Sequence, residues 1–101
     1  MTPDLILPMF VAGRDFAAEM ADRLGDVAGR QVLVDATSLS SGTSSFAAEL
    51  IARVLVDGKA SELIVVGAPD EFGQYLAEAA AAEKVSAALQ LSREFPVPVQ
   101  R

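Results

Sequence analysis

Gln31-Val-Leu-Val-Asp35 and Glu62-Leu-Ile-Val-Val-Gly67 are two compact apolar runs, and the chain between them carries a helical pattern. Short apolar runs of this kind are typical of central strands buried on both faces of a sheet. Between them, Phe46, Leu50 and Val54 recur at helical spacing, with further apolar residues beside them, over a segment that Asp57-Gly58 ends. This order predicts two parallel strands joined by a largely buried crossover helix.

The residues upstream of this unit predict another strand and helix. Leu5-Ile-Leu-Pro-Met-Phe10 is expected to form one short strand at a sheet edge, because prolines 3 and 8 cannot donate to a ladder. From Asp15 to about Leu24, apolar residues recur at intervals of four, which is typical of an amphipathic helix. Gly25 stands where a helix-ending glycine is expected.

The downstream residues repeat the alternation once more. Pro69, Asp70 and Glu71 are suited to open a third helix, and the alternation of apolar residues from 85 to 91 predicts a last short strand. Residues 93–101 are expected to form an extended tail. The chain is therefore predicted to be a single α/β domain over residues 1–101, with an approximately four-stranded, mostly parallel sheet and helices packed on it.

The composition excludes several classes of function. The 101 residues include no cysteine and no histidine, so disulfides, thiolate nucleophiles, imidazole bases and the usual nitrogen and sulfur metal ligands are unavailable. We therefore expect no enzymatic activity, no cofactor and no metal. Eight basic against 14 acidic residues give a net charge of −6, which disfavours binding to nucleic acid or to an anionic membrane surface. No apolar run approaches the ~20 residues that span a bilayer, and we expect a cytoplasmic protein.

The segment after the first central strand is the best candidate for a functional site. In Thr37-Ser-Leu-Ser-Ser-Gly-Thr-Ser-Ser45, seven of nine side chains carry a hydroxyl. It joins the carboxyl end of a strand to the amino end of a helix, where α/β proteins usually place their sites. Helix capping and turn formation also favour hydroxyls at such positions, but capping requires only one or two of them. Asp35 suits either a partner contact or an Asx-turn, and Glu49 suits either a docking face or a favourable charge near the helix start.

The residues around this segment resemble the STAS-like family of bacterial domains of unknown function. The resemblance rests on Val32-Leu-Val-Asp35, on Ser44-Ser-Phe-Ala-Ala-Glu-Leu50, on Gly13-Arg14-Asp15-Phe16 and on Glu62-Leu-Ile-Val-Val66, and it covers about residues 10–92. The wider superfamily includes the anti-sigma factor antagonists, in which a serine at the start of the corresponding helix is phosphorylated. By this resemblance Ser44 takes the place of that serine and Ser45 follows it. Thr43 stands where the antagonists have an acid, and Phe46 where they have a glycine.

The resemblance implies a regulatory module that docks on a protein partner, such as a kinase-like ATPase. Thr43, Ser44, Ser45, Asp35 and Glu49 are then the expected phosphorylation or docking residues. Constitutive docking and docking switched by phosphorylation both remain open. The alternative is a structural homo-oligomer or assembly subunit, such as a homodimer, in which an exposed apolar strip on the second helix drives association (Leu50, Ile51, Val54, Leu55, Val56).

Overall fold

The computed structural model of the chain describes residues 2–93, and these contain a four-stranded parallel sheet. Its strands in chain order are β1 Leu5–Ile6, β3 Gln31–Asp35, β5 Glu62–Val66 and β6 Leu89–Ser92, and this is also their order across the sheet. The central strands β3 and β5 pair over their full lengths. The predicted α/β class with a parallel sheet is thus confirmed, and β1 lies at an edge as predicted.

The single N-terminal strand predicted over residues 5–10 is wrong, because the chain forms two strands there. After β1, a second strand β2 (Phe10–Val11) leaves the main sheet and pairs with β4 (Ser41–Gly42) in a parallel two-stranded sheet. Pro8 lies between β1 and β2 and has no N–H to continue the ladder with β3. The change of partner brings the N-terminal segment to the hydroxyl-rich segment.

Three helices pack side by side on the sheet. They are α1 Arg14–Leu24, α2 Ser44–Ile51 and α3 Asp70–Ala82, with α2 in contact with both of the others. Gly25 follows α1 at φ 68°, a left-handed conformation that glycine adopts without steric cost, as its predicted role requires. Alternate residues of β3 and β5 (Val32, Val34, Leu63, Val65) join the core with these helices, while Leu33, Ile64 and Val66 form a second small buried cluster.

The helical segment predicted to end near Val56 changes its winding part-way. After Ile51 the chain continues as a π-helix over Ala52–Asp57. The extra residue in each π-turn brings Gly58 so close to the preceding turn that an added Cβ would lie 2.6 Å from the Arg53 carbonyl oxygen. This close approach explains the glycine at the end of the segment.

The second helix is largely buried, as predicted, and this contradicts the exposed apolar strip that the alternative of self-association requires. Leu50 and Ile51 are fully buried, and Val54 and Leu55 are at most 6 % exposed. Because α2 lies between α1 and α3 and also faces the sheet, its apolar residues are buried against three neighbouring elements. The structural premise for association through this helix is therefore wrong.

The last part of the described chain is only partly as predicted. A 3-10 helix over Ser86–Ala88 replaces the start of the alternating pattern, and β6 begins at Leu89. Of the tail predicted over residues 93–101, residues 94–101 lie outside the described part. None of the helices within residues 2–93 has the length and apolar character needed to cross a membrane.

Candidate functional site

The hydroxyl-rich segment begins at the carboxyl end of β3 with an Asx-turn. One carboxylate oxygen of Asp35 accepts hydrogen bonds from the Thr37 backbone N–H at 2.9 Å and from the Thr37 hydroxyl at 2.6 Å. This is the structural role weighed for Asp35 in the sequence, and it commits one of the carboxylate oxygens to the turn. Asp35 thus holds Thr37 in place and supports the segment that leads to the start of α2.

The middle of the segment is held by the N-terminal residues. The Met9 carbonyl oxygen accepts hydrogen bonds from the backbone N–H groups of Ser40 and Ser41. The Thr43 N–H then donates to the Val11 carbonyl oxygen at 3.1 Å. These bonds extend the β2–β4 pairing to the first residue before α2, so backbone contacts with the N-terminal segment fix the start of the helix.

Thr43 is the N-cap of α2. Its Oγ1 accepts hydrogen bonds from the Phe46 N–H at 3.2 Å and from the Gly13 N–H at 3.3 Å. A threonine with an extended backbone that accepts from the third residue on is a standard helix cap. The second bond joins the start of α1 to the start of α2. Thr43 therefore has a structural role that an acid at this position would also fill.

Ser44 and Ser45 differ in how far their hydroxyls are used. Ser45 shares a 3.2 Å hydrogen bond with Thr43 and is half-buried. Ser44 is exposed, and its hydroxyl makes no hydrogen bond to any residue within the described range. Of the three consecutive hydroxyls at the helix start, that of Ser44 is the one left to solvent or to a partner.

Glu49 lies between two arginines. Its carboxylate contacts Arg53 at 2.8 Å and Arg14 at 3.2 Å, and its side chain is 18 % exposed. The hydrogen bond from Arg53 is the main cause that lowers the pKa of the Glu49 carboxyl; desolvation opposes it, and the hydrogen bond from Arg14 adds to it. Glu49 thus links α1 and α2 through its ion pair with Arg14.

A shallow groove brings these elements together. It encloses about 330 Å³, and it is lined by residues of all three helices (Arg14, Ser44, Ser45, Ala48, Tyr75, Glu78, Ala79). Small side chains of α2 and one alanine of α3 form part of its lining, with the longer side chains of Arg14, Tyr75 and Glu78 beside them. Ser44 and Ser45 line the groove, whereas Asp35 and Glu49 do not.

A second groove, of about 210 Å³, lies between the start of α3 and β6, where Pro69, Gly73 and Leu91 contribute to its lining. Its lining includes none of the candidate site residues Asp35, Thr43, Ser44, Ser45 and Glu49. We therefore take the groove around Ser44 as the candidate site. Within residues 2–93, no group of acidic side chains is arranged to hold a metal ion.

Comparison with protein-family models, with curated proteins and with solved structures gives no match for this chain. The candidate site is therefore defined by its own geometry.

Sequence reasoning identified the helix start but missed the residues opposite it. Arg14 binds Glu49, which lies 35 positions away in the chain and on another helix. Tyr75 and Glu78, which face Ser44 across the groove, stand in a helix whose pattern indicated only packing. A contact between helices leaves no mark in local periodicity, so no feature of the sequence identified these residues.

Proposed function

We propose that this chain is a non-catalytic interaction module that docks on a protein partner through the start of α2 and the segment before it. A kinase-like ATPase is the partner class that the family resemblance suggests. The docking surface centres on Ser44 and includes the groove between α2 and α3. The proposed location is the cytoplasm, where such regulatory partners act.

The observation that carries this proposal is the exposed, unbonded hydroxyl of Ser44 beside a groove. Thr43 already caps the helix, so Ser44 has no evident part in holding the fold. A helix start fixed by backbone bonds from β2 and from Gly13 presents that hydroxyl in a defined position. Preorganised surfaces lose less entropy on binding than mobile ones, which favours docking at this place.

Phosphorylation of Ser44 is the proposed means of switching docking off. The Ser44 oxygen would attack the γ-phosphorus of a nucleoside triphosphate held by the partner, and the bond from that phosphorus to the bridging oxygen would break. The hydroxyl proton passes to a base of the partner and the nucleoside diphosphate leaves. A phosphate adds roughly −1.5 to −2 charges at neutral pH. A partner that covers Ser44 would have to desolvate this charge, so docking weakens.

The same surroundings favour binding over catalysis by this chain. A serine nucleophile needs a base that takes its proton, and no described residue forms a hydrogen bond with the Ser44 hydroxyl. Binding requires no such base, and the geometry supports it directly.

The test is a comparison of partner binding among four forms of the full chain. The wild type and Ser44→Ala should recover the same protein from extracts of the native host in equal amounts, and Ser44→Asp should recover at least several-fold less. Ser61→Asp is the matched control, because Ser61 is exposed and precedes β5 at the opposite end of the sheet. Equal losses with Ser44→Asp and Ser61→Asp, or no loss with either, would contradict docking at Ser44.

A second candidate function is self-association, for which the N-terminal segment gives the observation. Ile6, Met9 and Phe10 are 58–68 % exposed, although large apolar side chains in such numbers are costly to leave in water. A homodimer or assembly subunit that buries them would be held by this segment and not by α2. Sedimentation velocity of the wild type and of Phe10→Ser distinguishes this candidate, since only association through the segment makes the variant monomeric.

A further inference from the structure

A hydrogen bond joins the starts of α1 and α2, and it brings Arg14 and Ser44 into the lining of one groove. The Gly13 N–H donates to the Thr43 side chain at 3.3 Å. Arg14 follows Gly13 in the chain, Ser44 follows Thr43, and both side chains line the same groove. Arg14 is the only positively charged side chain that lines this groove, and Ser44 is its only serine whose hydroxyl no described residue binds.

Arg14 is held by its ion pair with Glu49, and it can leave this ion pair for another partner. Its side chain is 65 % exposed, and its 3.2 Å contact with Glu49 is the longer of the two that this carboxylate makes. Arg53 binds the other oxygen of Glu49 at 2.8 Å, so Glu49 keeps a counter-charge when Arg14 leaves. An exposed arginine gains more from a dianionic phosphate than from a carboxylate that is already paired.

We propose that Arg14 is the intramolecular counter-charge of a phosphate on Ser44, for which it exchanges the Glu49 carboxylate. This inference rests on the proposed phosphorylation of Ser44 and adds how the fold receives the phosphate. The exchange draws the phosphate toward α1 and away from Glu78 on α3, which repels it. The modified surface then differs from the unmodified one in the position of Arg14 as well as in charge.

The charged side chains of the groove, and those that contact them, shift the second pKa of a phosphate on Ser44 in known directions. The proposal is therefore tested by measuring that pKa. Arg14 on α1 favours the dianionic phosphate, whereas Glu78 on α3 and the carboxylate of Glu49 on α2 disfavour it, and Arg53 offsets Glu49. Tyr75 also lines the groove. The second pKa of a phosphoserine is about 6, within reach of a titration of the folded protein. Contact with Arg14 lowers that pKa.

The experiment is a ³¹P NMR titration of the full chain that carries phosphoserine at position 44, introduced by genetic encoding. Arg14→Gln should raise the second pKa of the phosphate by about half a unit, as expected for the loss of one partly exposed counter-charge. Arg23→Gln is the matched control: it removes the same charge from α1, but Arg23 pairs with Glu19 near the other end of that helix. It should leave the pKa unchanged.

Equal shifts in the two variants would show a general charge effect and overturn the proposal, as would no shift in Arg14→Gln. Amide spectra of each variant establish that it is folded, so a lost fold is not mistaken for a lost contact. The titration requires no partner. A failure of Arg14 to bind the phosphate is therefore distinct from a failure of Ser44 to control docking.

Discussion

Thr43 Oγ1 accepts the Phe46 N–H at 3.2 Å, and this bond separates the roles of the three consecutive hydroxyls at the start of α2. Thr43 serves the fold, Ser45 binds Thr43, and Ser44 is left exposed. Of these hydroxyls, that of Ser44 is the one without a structural role, so it is the one available for a function. The predictions below test this division and the contacts that support it.

Replacement of Thr43 by alanine should destabilise the protein, and replacement of Ser44 should not. Thr43→Ala leaves the N–H groups of Gly13 and Phe46 without their acceptor, for which we expect a loss of about 1 kcal/mol and up to about 2 kcal/mol. Ser44→Ala changes an exposed, unbonded side chain and should stay within about 0.5 kcal/mol of the wild type. Urea unfolding followed by circular dichroism measures both.

The control for the cap is Thr43→Ser, which keeps the acceptor oxygen and should retain most of the stability. A larger loss in Ser44→Ala than in Thr43→Ala would contradict the assignment of the cap.

The Glu49 link should contribute to stability only above the range in which its carboxyl is protonated. Its pKa lies below the ordinary value of 4.5, mainly because of the hydrogen bond from Arg53. A lowered folded-state pKa gives stabilisation that is present above 4.5 and lost as the pH falls through the folded value. Glu49→Gln should therefore be less stable than the wild type at pH 7, and the gap should close below pH 4.5.

Urea midpoints of the two proteins across this pH range provide the measurement. Glu83→Gln, at an exposed position with no ion pair in the described part of the chain, reports the effect of the amide substitution itself. A gap that persists unchanged into strong acid would show that the ion pairs do not cause it.

Two glycines should respond to alanine in opposite directions. At Gly42 in β4, an added Cβ would lie 2.4 Å from the ring of Phe72, a buried side chain that also packs on Phe46. Overpacking of this kind costs roughly 1–3 kcal/mol. At Gly73, inside α3, the nearest contact would be an ordinary 3.5 Å to Leu91, and alanine should stabilise the helix by about 0.5–1 kcal/mol.

Thermal unfolding of the two variants compares them directly. A stabilised Gly42→Ala variant would mean that Phe72 moves aside without cost, and the packing of β4 on α3 would then not fix the segment before Ser44.

The fold was predictable from sequence where the pattern is local. The runs at residues 31–35 and 62–66 predicted buried strands and the four-residue spacing in α1 and α2 predicted helices, and these predictions are confirmed. The change of pairing partner from β3 to β4, which occurs around Pro8, was not predictable in this way. It depends on which other segment of the folded chain lies beside Phe10–Val11. The π-helix was not predicted either, because its residues carry the same apolar spacing as the α-helix before it.

The candidate site was predictable only in part. The excess of hydroxyls marked the segment, and the Asx-turn of Asp35 and the cap by Thr43 follow from residue chemistry at strand and helix ends. The opposite wall of the groove comes from α3, and the Arg14–Glu49 contact spans two helices. Both depend on how the helices lie beside one another, which periodicity does not encode. The largely buried character of α2 was predicted correctly, but the exposed apolar strip of the alternative was not, since a helix with neighbours on both sides buries more than one face.

Site-specific photo-crosslinking in the native host tests the central claim most directly. A photoreactive phenylalanine analogue at Ala48, which lines the groove beside Ser44, is compared with the same residue at exposed Ser61 at the far end of the sheet. We predict a crosslink to one other protein from position 48, weakened by Ser44→Asp, and none to that protein from position 61. Crosslinks to that protein from both positions alike, or from neither, would contradict docking through the start of α2.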